Sequence, residues 1–462
     1  MKKQAFNPYL PLNEYIPDGE PRLFDGRIYI YGSHDKAHGD KYCLLDYVCY
    51  SASEEDLSDW RYEGVIYKRS QDPNYYSEQY LYAPDVVKGI DGRYYLYYVM
   101  SNEMEVAVAV CDTPGGMFEY YGRVHYPNGE LLHENVPFDP GLLRDGKNTY
   151  LYYGFAPAFP IHRIIGSDMP GASVVKLDTD MLTVIEAPSV ILPSKKYALG
   201  TEFEGHAFFE ACSIRKIQDT YYLIYASELS HELCYAYSKY PDKEFHFGGI
   251  VISNADIGYE GRPRELANNS VCNNHGGLVC AEGKWYIFYH RHTHGTQFSR
   301  QGCAEPVIFD EKKIRQAEVT SCGLNGGPLE GIGKYPAAIA CNLYGKVRGA
   351  DIPYAGKLEN QPFITSDRDS QFITNFDKNA TAVLKYFQFK GPKAVSLEVR
   401  GEAGKIQVST QKKVIAEINF KGSDMFRKAT GKISGNVHGV EPVILQYKGK
   451  GSIDILSIEF NG

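Results

Sequence analysis

Five polar residues whose side chains can exchange protons or bind a metal recur at matching places in the first 290 residues. They are Asp18, Asp85, Asp139, Glu210 and His275. Each stands 10 to 12 residues before a tyrosine, and these tyrosines are Tyr29, Tyr95, Tyr150, Tyr222 and Tyr286. Bringing four carboxylates to one place costs folding free energy, because like charges repel and lose water. Since proteins tolerate such strain at working sites, a convergence of these residues would indicate a functional site.

The tyrosines belong to five copies of one phrase, a turn followed by an alternating aromatic run. The copies read DGRIYIYGS, DGRYYLYYV, DGKNTYLYYG, QDTYYLIYA and EGKWYIFYH. Such runs are typical of half-buried strands entered from tight hairpins. The steps between the tyrosines are 66, 55, 72 and 64 residues, enough for four strands and their loops. Repeats of this length predict an all-β fold, a five-bladed β-propeller.

The blades are predicted at 18–77, 78–132, 133–204, 205–266 and 267–322, and the segment before Asp18 is expected to add a strand that closes the ring. Within a propeller, equivalent strands lie at equivalent radius, so the five polar residues would converge on one end of the central channel. Spacing alone does not rank Asp18, Asp85 and Asp139 as catalytic groups. A single aspartate in a sequence such as PFDPG also suits a turn or a helix cap.

The chain changes character at about residue 323. The segment 323–349 is rich in Gly and Pro and is predicted to be a linker. Residues 350–462 contain short alternating runs separated by turn signals, which predict a jelly-roll-like β-sandwich.

Composition excludes several classes of function. The 462 residues carry a formal net charge of −8 without a run of Lys and Arg, so nucleic acid and anionic membranes are poor partners. Ten cysteines are scattered singly, a pattern that favours buried free thiols in a reducing compartment. The first residues lack the apolar region of a secretory signal, and a cytoplasmic protein is therefore expected.

With these strings in view, the first 320 residues resemble glycoside hydrolase family 43. The resemblance rests on DGEPRLFDGRIYIYGSHD, LYAPDVVKGIDGRYYLYYV, PFDPGLLRDGKNTYLYYG, FFEACSIRKIQDTYYLIYAS and NNHGGLVCAEGKWYIFYH, with the further string RHTHGTQFSRQ. It implies a five-bladed propeller that cleaves arabinose or xylose units from plant polysaccharides with inversion. The closing QYKGKGSIDILSIEF resembles a family-6 carbohydrate-binding module.

By motif, the resemblance implies that Asp18 is the general base, Glu210 the general acid, and Asp139 the residue that orients and tunes the acid. Inversion needs a base on one face of the sugar and an acid on the other, with carboxyl groups roughly 6.5–9.5 Å apart. A third carboxylate would raise the pKa of the acid by repulsion. The family often has Pro after the base, where this chain has Gly19.

Further residues are expected to bind the substrate or a metal. The resemblance implies that His275 lies near a calcium ion held largely by water. Asp85 is expected to support the substrate site through hydrogen bonds, and Arg300 to donate to sugar hydroxyls or to a carboxylate of the site. Tyr82 and Phe209 are candidate aromatic walls, although both also suit packing within a blade. Three histidines are expected to border the pocket, namely His34, His206 and His292.

The function predicted from these features is that of an exo-acting, inverting glycosidase. It would release terminal α-L-arabinofuranosyl units from arabinoxylan- or arabinan-derived oligosaccharides of plant origin. A β-D-xylosidase, or an enzyme with both activities, is the alternative within the same machinery. A non-catalytic sugar-binding propeller is the alternative from another class, but it would need aromatic platforms without convergent acids.

Overall fold

The computed structural model describes residues 3–101, 103–157, 169–368 and 370–462, and they form an all-β protein. Successive antiparallel sheets make up the first part of the chain. The strands of the first two are β1 (Glu20–Phe24), β2 (Arg27–Tyr31), β3 (Tyr47–Ser53), β4 (Asp56–Tyr67), β5 (Asp85–Lys88), β6 (Tyr94–Tyr98), β7 (Ala107–Cys111) and β8 (Glu119–Arg123). The third and fourth contain β9 (Gly141–Asp145), β10 (Asn148–Tyr153), β11 (Gly171–Leu177), β12 (Val184–Pro193), β13 (Phe208–Ile217), β14 (Thr220–Ser227), β15 (Glu232–Ser238) and β16 (His246–Ser253).

The fifth sheet has three strands, β17 (Leu278–Ala281), β18 (Lys284–His292) and β19 (Arg300–Val307), followed by a hairpin of β20 (Phe309–Asp310) and β21 (Lys313–Ile314). Helical structure in the described residues is limited to short segments. These are α1 (Lys195–Ala198) and the 3₁₀ turns Arg69–Gln71, Tyr259–Gly261, Arg264–Leu266, Gly323–Asn325 and Ala337–Ile339. No helix among the described residues has both the length and the apolar character needed to span a membrane.

The sheets close into a ring. Among the described residues, each of five separate apolar cores lies between two neighbouring sheets, and one of them joins the fifth sheet to the first. This packing explains the aromatic phrases, because each falls on the second strand of a sheet and is covered on both faces. All five residues of β6, for example, are buried. Hairpins such as Asp25–Gly26 have positive φ at both turn residues, which suits the right-handed twist of the strands. The propeller prediction is confirmed.

The ring closes differently from the prediction. No strand precedes Asp18 in the described part of the N-terminal segment. Instead, the Asn7 side chain lies against β19, where its Nδ2 donates to the Ala304 carbonyl at 3.0 Å and its Oδ1 accepts from the Ala304 amide at 3.0 Å. A side-chain amide carries both N–H donors and a carbonyl acceptor, so it can take the place of the backbone of a pairing strand at this one position.

The remainder of the described chain is a β-sandwich of two six-stranded sheets around a single apolar core. The strands of one sheet are β22 (Leu329–Glu330), β24 (Asn342–Tyr344), β27 (Thr381–Lys390), β29 (Gly404–Ser409), β30 (Val414–Phe420) and β32 (His438–Gly449). The other sheet contains β23 (Gly333–Pro336), β25 (Phe363–Asp367), β26 (Ser370–Asp377), β28 (Ala394–Gly401), β31 (Ser423–Lys432) and β33 (Ser452–Asn461).

The segment 323–349 is not the free linker predicted from its Gly and Pro content. Its strands β22 and β24 pair with β27, and β23 pairs with β33. Short strands of this kind are found at sheet edges, where Gly and Pro are tolerated because fewer ladder hydrogen bonds are required. The sandwich therefore begins before residue 350.

Candidate active site

A cavity of about 780 Å³ lies at one end of the propeller ring. It is lined by most of the residues singled out in the sequence, namely Asp18, Asp139, Glu210, His275, Arg300, Tyr82 and Phe209. These residues lie in or next to strands of all five propeller sheets and are up to 282 positions apart in the chain. The fold therefore brings three carboxylates, an arginine and a histidine around one space.

The backbone around the three carboxylates leaves the regular strand conformation. Asp18 and Asp139 each stand two residues before an innermost strand, and both adopt left-handed φ values, 55° and 48°. Glu210 lies inside β13, where the pairing with β14 is irregular between Glu210 and Ser213 and Ala211 has a φ of 71°. Left-handed φ is uncommon for residues other than glycine, and bulges redirect side chains. Such strain is typical of functional sites.

Asp18 is held in its ionised form by two neighbours. Arg300 Nη1 lies 2.8 Å from its Oδ1, and His290 Nδ1 lies 3.2 Å from the same atom. Burial alone would raise the pKa of Asp18, but the charge of Arg300 and the hydrogen bond from His290 outweigh it and hold this pKa well below its usual range.

Arg300 is itself fixed by Asp35, a buried residue that the sequence analysis did not single out. The Arg300 Nε and Nη2 atoms donate to the two Asp35 carboxylate oxygens at 2.8 and 3.0 Å. The guanidinium carbon also lies 4.7 Å from the centre of the Tyr42 ring. Arg300 was expected to donate either to sugar hydroxyls or to a carboxylate of the site. Its hydrogen bonds to Asp18 and Asp35 favour the second role. Asp35 stands two residues after the first aromatic copy, DGRIYIYGS, so its closeness to that predicted strand was a signal available in the sequence.

The pKa values of Glu210 and Asp139 are shifted in the opposite direction, upwards. Burial, followed by the charge of Asp18, raises the pKa of Glu210 to about 8. Burial and the charges of Glu210 and Asp18 raise the pKa of Asp139, which accepts a hydrogen bond from the Ala211 amide. Because the two carboxyls influence each other, they titrate as a pair that keeps a proton at neutral pH.

Asp85 does not line the cavity, so it is not placed to contact a substrate there, and its hydrogen bonds are made beneath the cavity. It is 1% exposed, Arg22 binds its carboxylate, and Oδ2 also accepts from the Leu142 amide at 2.6 Å. Strand register explains this position. Tyr29 pairs with Arg22, seven positions earlier, whereas Tyr95 pairs with Val87, eight positions earlier.

The second hairpin is therefore one residue longer, and the position equivalent to Asp18 is Ala83, which does line the cavity. Asp85 corresponds to Glu20, one layer deeper in the channel. Glu20 and Asp85 there neutralise Arg22 and Arg215, so the floor beneath the cavity is a buried network of paired charges.

His275 has properties suited to a metal ligand, but the surrounding side chains do not form a metal cage. Burial lowers the pKa of His275 to about 4, which leaves a neutral imidazole able to donate a lone pair. Its Nδ1 lies 3.5 Å from Asp139 Oδ2. In the described ranges, the one cluster of three metal-binding side chains is His206, Glu232 and Cys234, away from His275. A calcium ion beside His275 would therefore fit only with water as most of its ligands.

Aromatic rings line another part of the cavity wall. Tyr82, Phe138, Phe155 and Phe209 follow one another with ring centres 5.3, 5.0 and 5.5 Å apart. Tyr82 and Phe209 were expected here, whereas Phe138 and Phe155 were missed. Phe138 directly precedes Asp139, and its position next to this predicted site residue could have identified it as a residue of the cavity wall.

The three histidines expected at the pocket border lie elsewhere. His34 contacts Glu14 at 2.9 Å, His206 contacts Glu232 at 2.7 Å and His292 contacts Asn273 Oδ1 at 2.8 Å. Each is occupied by a hydrogen-bonding partner, and none lines the cavity. The prediction for these residues is corrected accordingly.

Comparison with known proteins identifies the family of the chain. Residues 22–314 match the sequence profile of the glycosyl hydrolases family 43, and the chain belongs to that family. It is a glycoside hydrolase.

The chain is 47% identical to a xylosidase/arabinosidase of Thermoclostridium stercorarium, over 99% of both chains. In fold it is similar to the family 43 arabinoxylan arabinofuranohydrolase of Bacillus subtilis solved with cellotetraose, with a TM-score of 0.52 and 18% identity over 98% and 97% of the two chains. It is also similar to a beta-xylosidase/alpha-arabinofuranosidase from a compost metagenome, solved with xylotriose in a calcium-free form. That comparison has a TM-score of 0.52 and 24% identity, and covers 66% of this chain and 94% of the other.

Proposed function

We propose that this glycoside hydrolase is an inverting exo-glycosidase that removes terminal pentose units from plant-derived oligosaccharides. The observation that carries the proposal is the opposite pKa shift of two carboxyls in one cavity. Asp18 is held ionised by Arg300, and Glu210, with a pKa of about 8, keeps its proton at neutral pH. Pairs of carboxyls whose environments separate their pKa values are typical of acid–base catalysis.

In the proposed mechanism, Glu210 donates its proton to the glycosidic oxygen while the bond from that oxygen to the anomeric carbon breaks. Asp18 takes a proton from a water molecule, and the water oxygen bonds to the anomeric carbon from the opposite face. The products are a free pentose of inverted configuration and a shortened oligosaccharide. Glu210 then regains a proton from solvent, and Asp18 releases one.

The other groups of the cavity support these two. Arg300, fixed by Asp35, orients Asp18 and keeps it charged. Asp139, beside Glu210, contributes to the repulsion that retains a proton on the pair. The four aromatic rings that follow one another from Tyr82 to Phe209 offer apolar faces for the sugar ring. We propose His275 as a ligand of a largely hydrated calcium ion, which would supply positive charge near the floor of the site.

We propose α-L-arabinofuranosyl units as the preferred terminal sugar, with β-D-xylosyl units as a second substrate. The second is included because the relative at 47% identity is named for both activities. The proposed substrates are short oligosaccharides in the cytoplasm. A reducing compartment agrees with the ten cysteines, all described and all without a disulfide.

The decisive experiment is proton NMR of the products released from a panel of arabino- and xylo-oligosaccharides. Release of a pentose whose first-formed anomer is inverted is expected, and the rates rank the two sugars. Retention of configuration would overturn the mechanism. Binding of pentose without release from any substrate would favour a non-catalytic sugar-binding propeller.

A further inference from the structure

One side of the active-site cavity is built by residues beyond the propeller. Asp351, Ile352 and Tyr354 line the cavity, yet they follow β24 and precede β25, two strands of the sandwich. We refer to residues 349–358 as the arm. The arm connects the two sandwich sheets and passes over the rim of the propeller on the way.

Hydrogen bonds anchor the arm to propeller loops. The Val271 amide donates to the Ala350 carbonyl at 2.8 Å, and the Ile352 amide donates to the Val271 carbonyl at 3.0 Å. At the far end, the Leu358 amide donates to the Gly295 carbonyl at 2.8 Å. The arm is therefore a fixed part of the cavity wall.

Side chains connect the arm to Tyr42, the ring that contacts Arg300. Gln297 Nε2 donates to the Ile352 carbonyl at 2.7 Å, and Gln297 Oε1 accepts from the Tyr42 hydroxyl at 2.6 Å. Tyr42 is the ring that Arg300 overlies. The arm is thus connected to Arg300, the residue that holds Asp18, through two hydrogen bonds and the contact of Arg300 with the Tyr42 ring.

Tyr354 is the exposed aromatic residue of the arm. Its side chain is 70% exposed although it lines the cavity, and its ring packs edge-on against Phe298 with ring centres 5.5 Å apart. A large aromatic face that is exposed to water at the rim of a polar pocket is energetically unfavourable unless a ligand or another group covers it. Asp18 and Asp139, by contrast, are 5% and 4% exposed, so the sugar that is cleaved off must sit deeper than Tyr354.

We propose that Tyr354 is the platform for the leaving group, the sugar on the far side of the scissile bond. This inference rests on the proposed function. A substrate whose terminal pentose reaches Asp18 and Glu210 extends outwards to the rim, where Tyr354 presents its ring face. The sandwich region, through the arm, thereby sets the preference for the remaining oligosaccharide without taking part in the chemistry.

The test compares Tyr354→Ala and Tyr354→Phe with Tyr240→Ala, which removes a tyrosine that is 44% exposed and does not line the cavity. For each, KM and kcat are measured with xylobiose, xylotriose and arabinosyl-xylotriose, and inhibition by free arabinose and xylose gives the affinity of the deep sugar site. Tyr354→Ala is expected to raise KM about tenfold, the loss typical of an aromatic contact. Tyr354→Phe and Tyr240→Ala should stay near the wild type, because the first keeps the ring and the second leaves the cavity intact.

Inhibition by the free pentose should change less than twofold in all three variants. The proposal is overturned if Tyr354→Ala leaves KM unchanged. It is also overturned if pentose inhibition weakens in parallel with KM, since the variant would then have distorted the deep site. If the wild type releases no pentose from any substrate, the proposed function fails first, and the role of Tyr354 fails with it.

Discussion

Arg300 and Asp18, 282 positions apart in the chain, meet through a hydrogen bond of 2.8 Å inside the propeller ring. Both residues are at most 5% exposed, so their charges interact with little screening by water. This contact keeps Asp18 ionised, while Glu210 retains its proton at neutral pH.

Removing the acid should affect substrates according to their leaving group. Glu210→Gln is expected to lower kcat for oligosaccharides by about 10³-fold, because the leaving oxygen is no longer protonated. A pentoside with a dinitrophenyl leaving group needs no such proton and should lose far less. Asp18→Asn should slow both substrates alike, since water activation is needed in each case. Equal losses for both substrates in Glu210→Gln would remove it from the role of acid.

The pH profile of kcat/KM should follow the two opposite shifts. Glu210 must be protonated to act, so activity is expected to fall as pH rises through about 8. Asp18 must be ionised, and because its pKa lies below the usual range, it should cause no loss above about pH 4. A profile on pentose oligosaccharides, with protein stability recorded at each pH, checks both limits. A basic limb below pH 6 would contradict the assignment.

Asp35→Asn should lower both the stability of the protein and its kcat, because Asp35 holds Arg300 in place. This change leaves part of the Arg300 guanidinium without its charged partner in a buried position, which typically costs about 3 kcal/mol of stability. Arg300 should also hold Asp18 less firmly, so kcat falls more than KM rises. Urea unfolding and steady-state kinetics test the two effects. Normal kcat in Asp35→Asn would show that Arg300 needs no such support.

Asp139→Asn should stabilise the protein while impairing catalysis. The folded-state pKa of Asp139 is raised, so the wild type loses stability as pH rises from the ordinary aspartate pKa towards the folded value. The amide has no proton to lose, and its Tm advantage should therefore grow as pH rises above the ordinary aspartate pKa of about 4. Asp219→Asn, which changes an exposed acid, is the matched control and should show no such trend. A Tm gap that shrinks with pH would oppose the prediction.

Chelation tests the proposed calcium ion. With a chelator present, the wild type should lose Tm because an ion that binds only the folded state stabilises it. Calcium, but not an equal concentration of magnesium, should restore the loss. His275→Ala should be insensitive to both. A wild-type Tm that is the same with and without chelator would argue against a bound ion.

The periodic aromatic runs were sufficient to predict the propeller, because each run must be covered on both faces by neighbouring sheets. Counting residues back from each tyrosine led to Asp18, Asp139, Glu210 and His275, which do line one cavity. The same count misled at Asp85, where a longer hairpin shifts the equivalence by one position.

Contacts made across the fold were beyond the reach of such counting. Asp35 carries no periodic signal, and its importance arises only when Arg300 folds against it. Tyr354 belongs to a segment that reads as a loop, and only the packing of the sandwich against the propeller brings it to the cavity. The edge strand β22 was likewise mistaken for part of a linker, since its pairing partner lies 58 positions away.

The contact between Asn7 and Ala304 has a mechanical consequence. The chain start is held against the last propeller strand by side-chain contacts: Asn7 also donates to Glu305, and Gln301 donates to the Leu12 and Glu14 carbonyls. An apolar core shared by the first and fifth sheets adds to this attachment. Because the chain runs directly from each of the first four sheets to the next but not from the fifth back to the first, the joint between these two sheets is the seam where the ring is expected to open when the protein is heated.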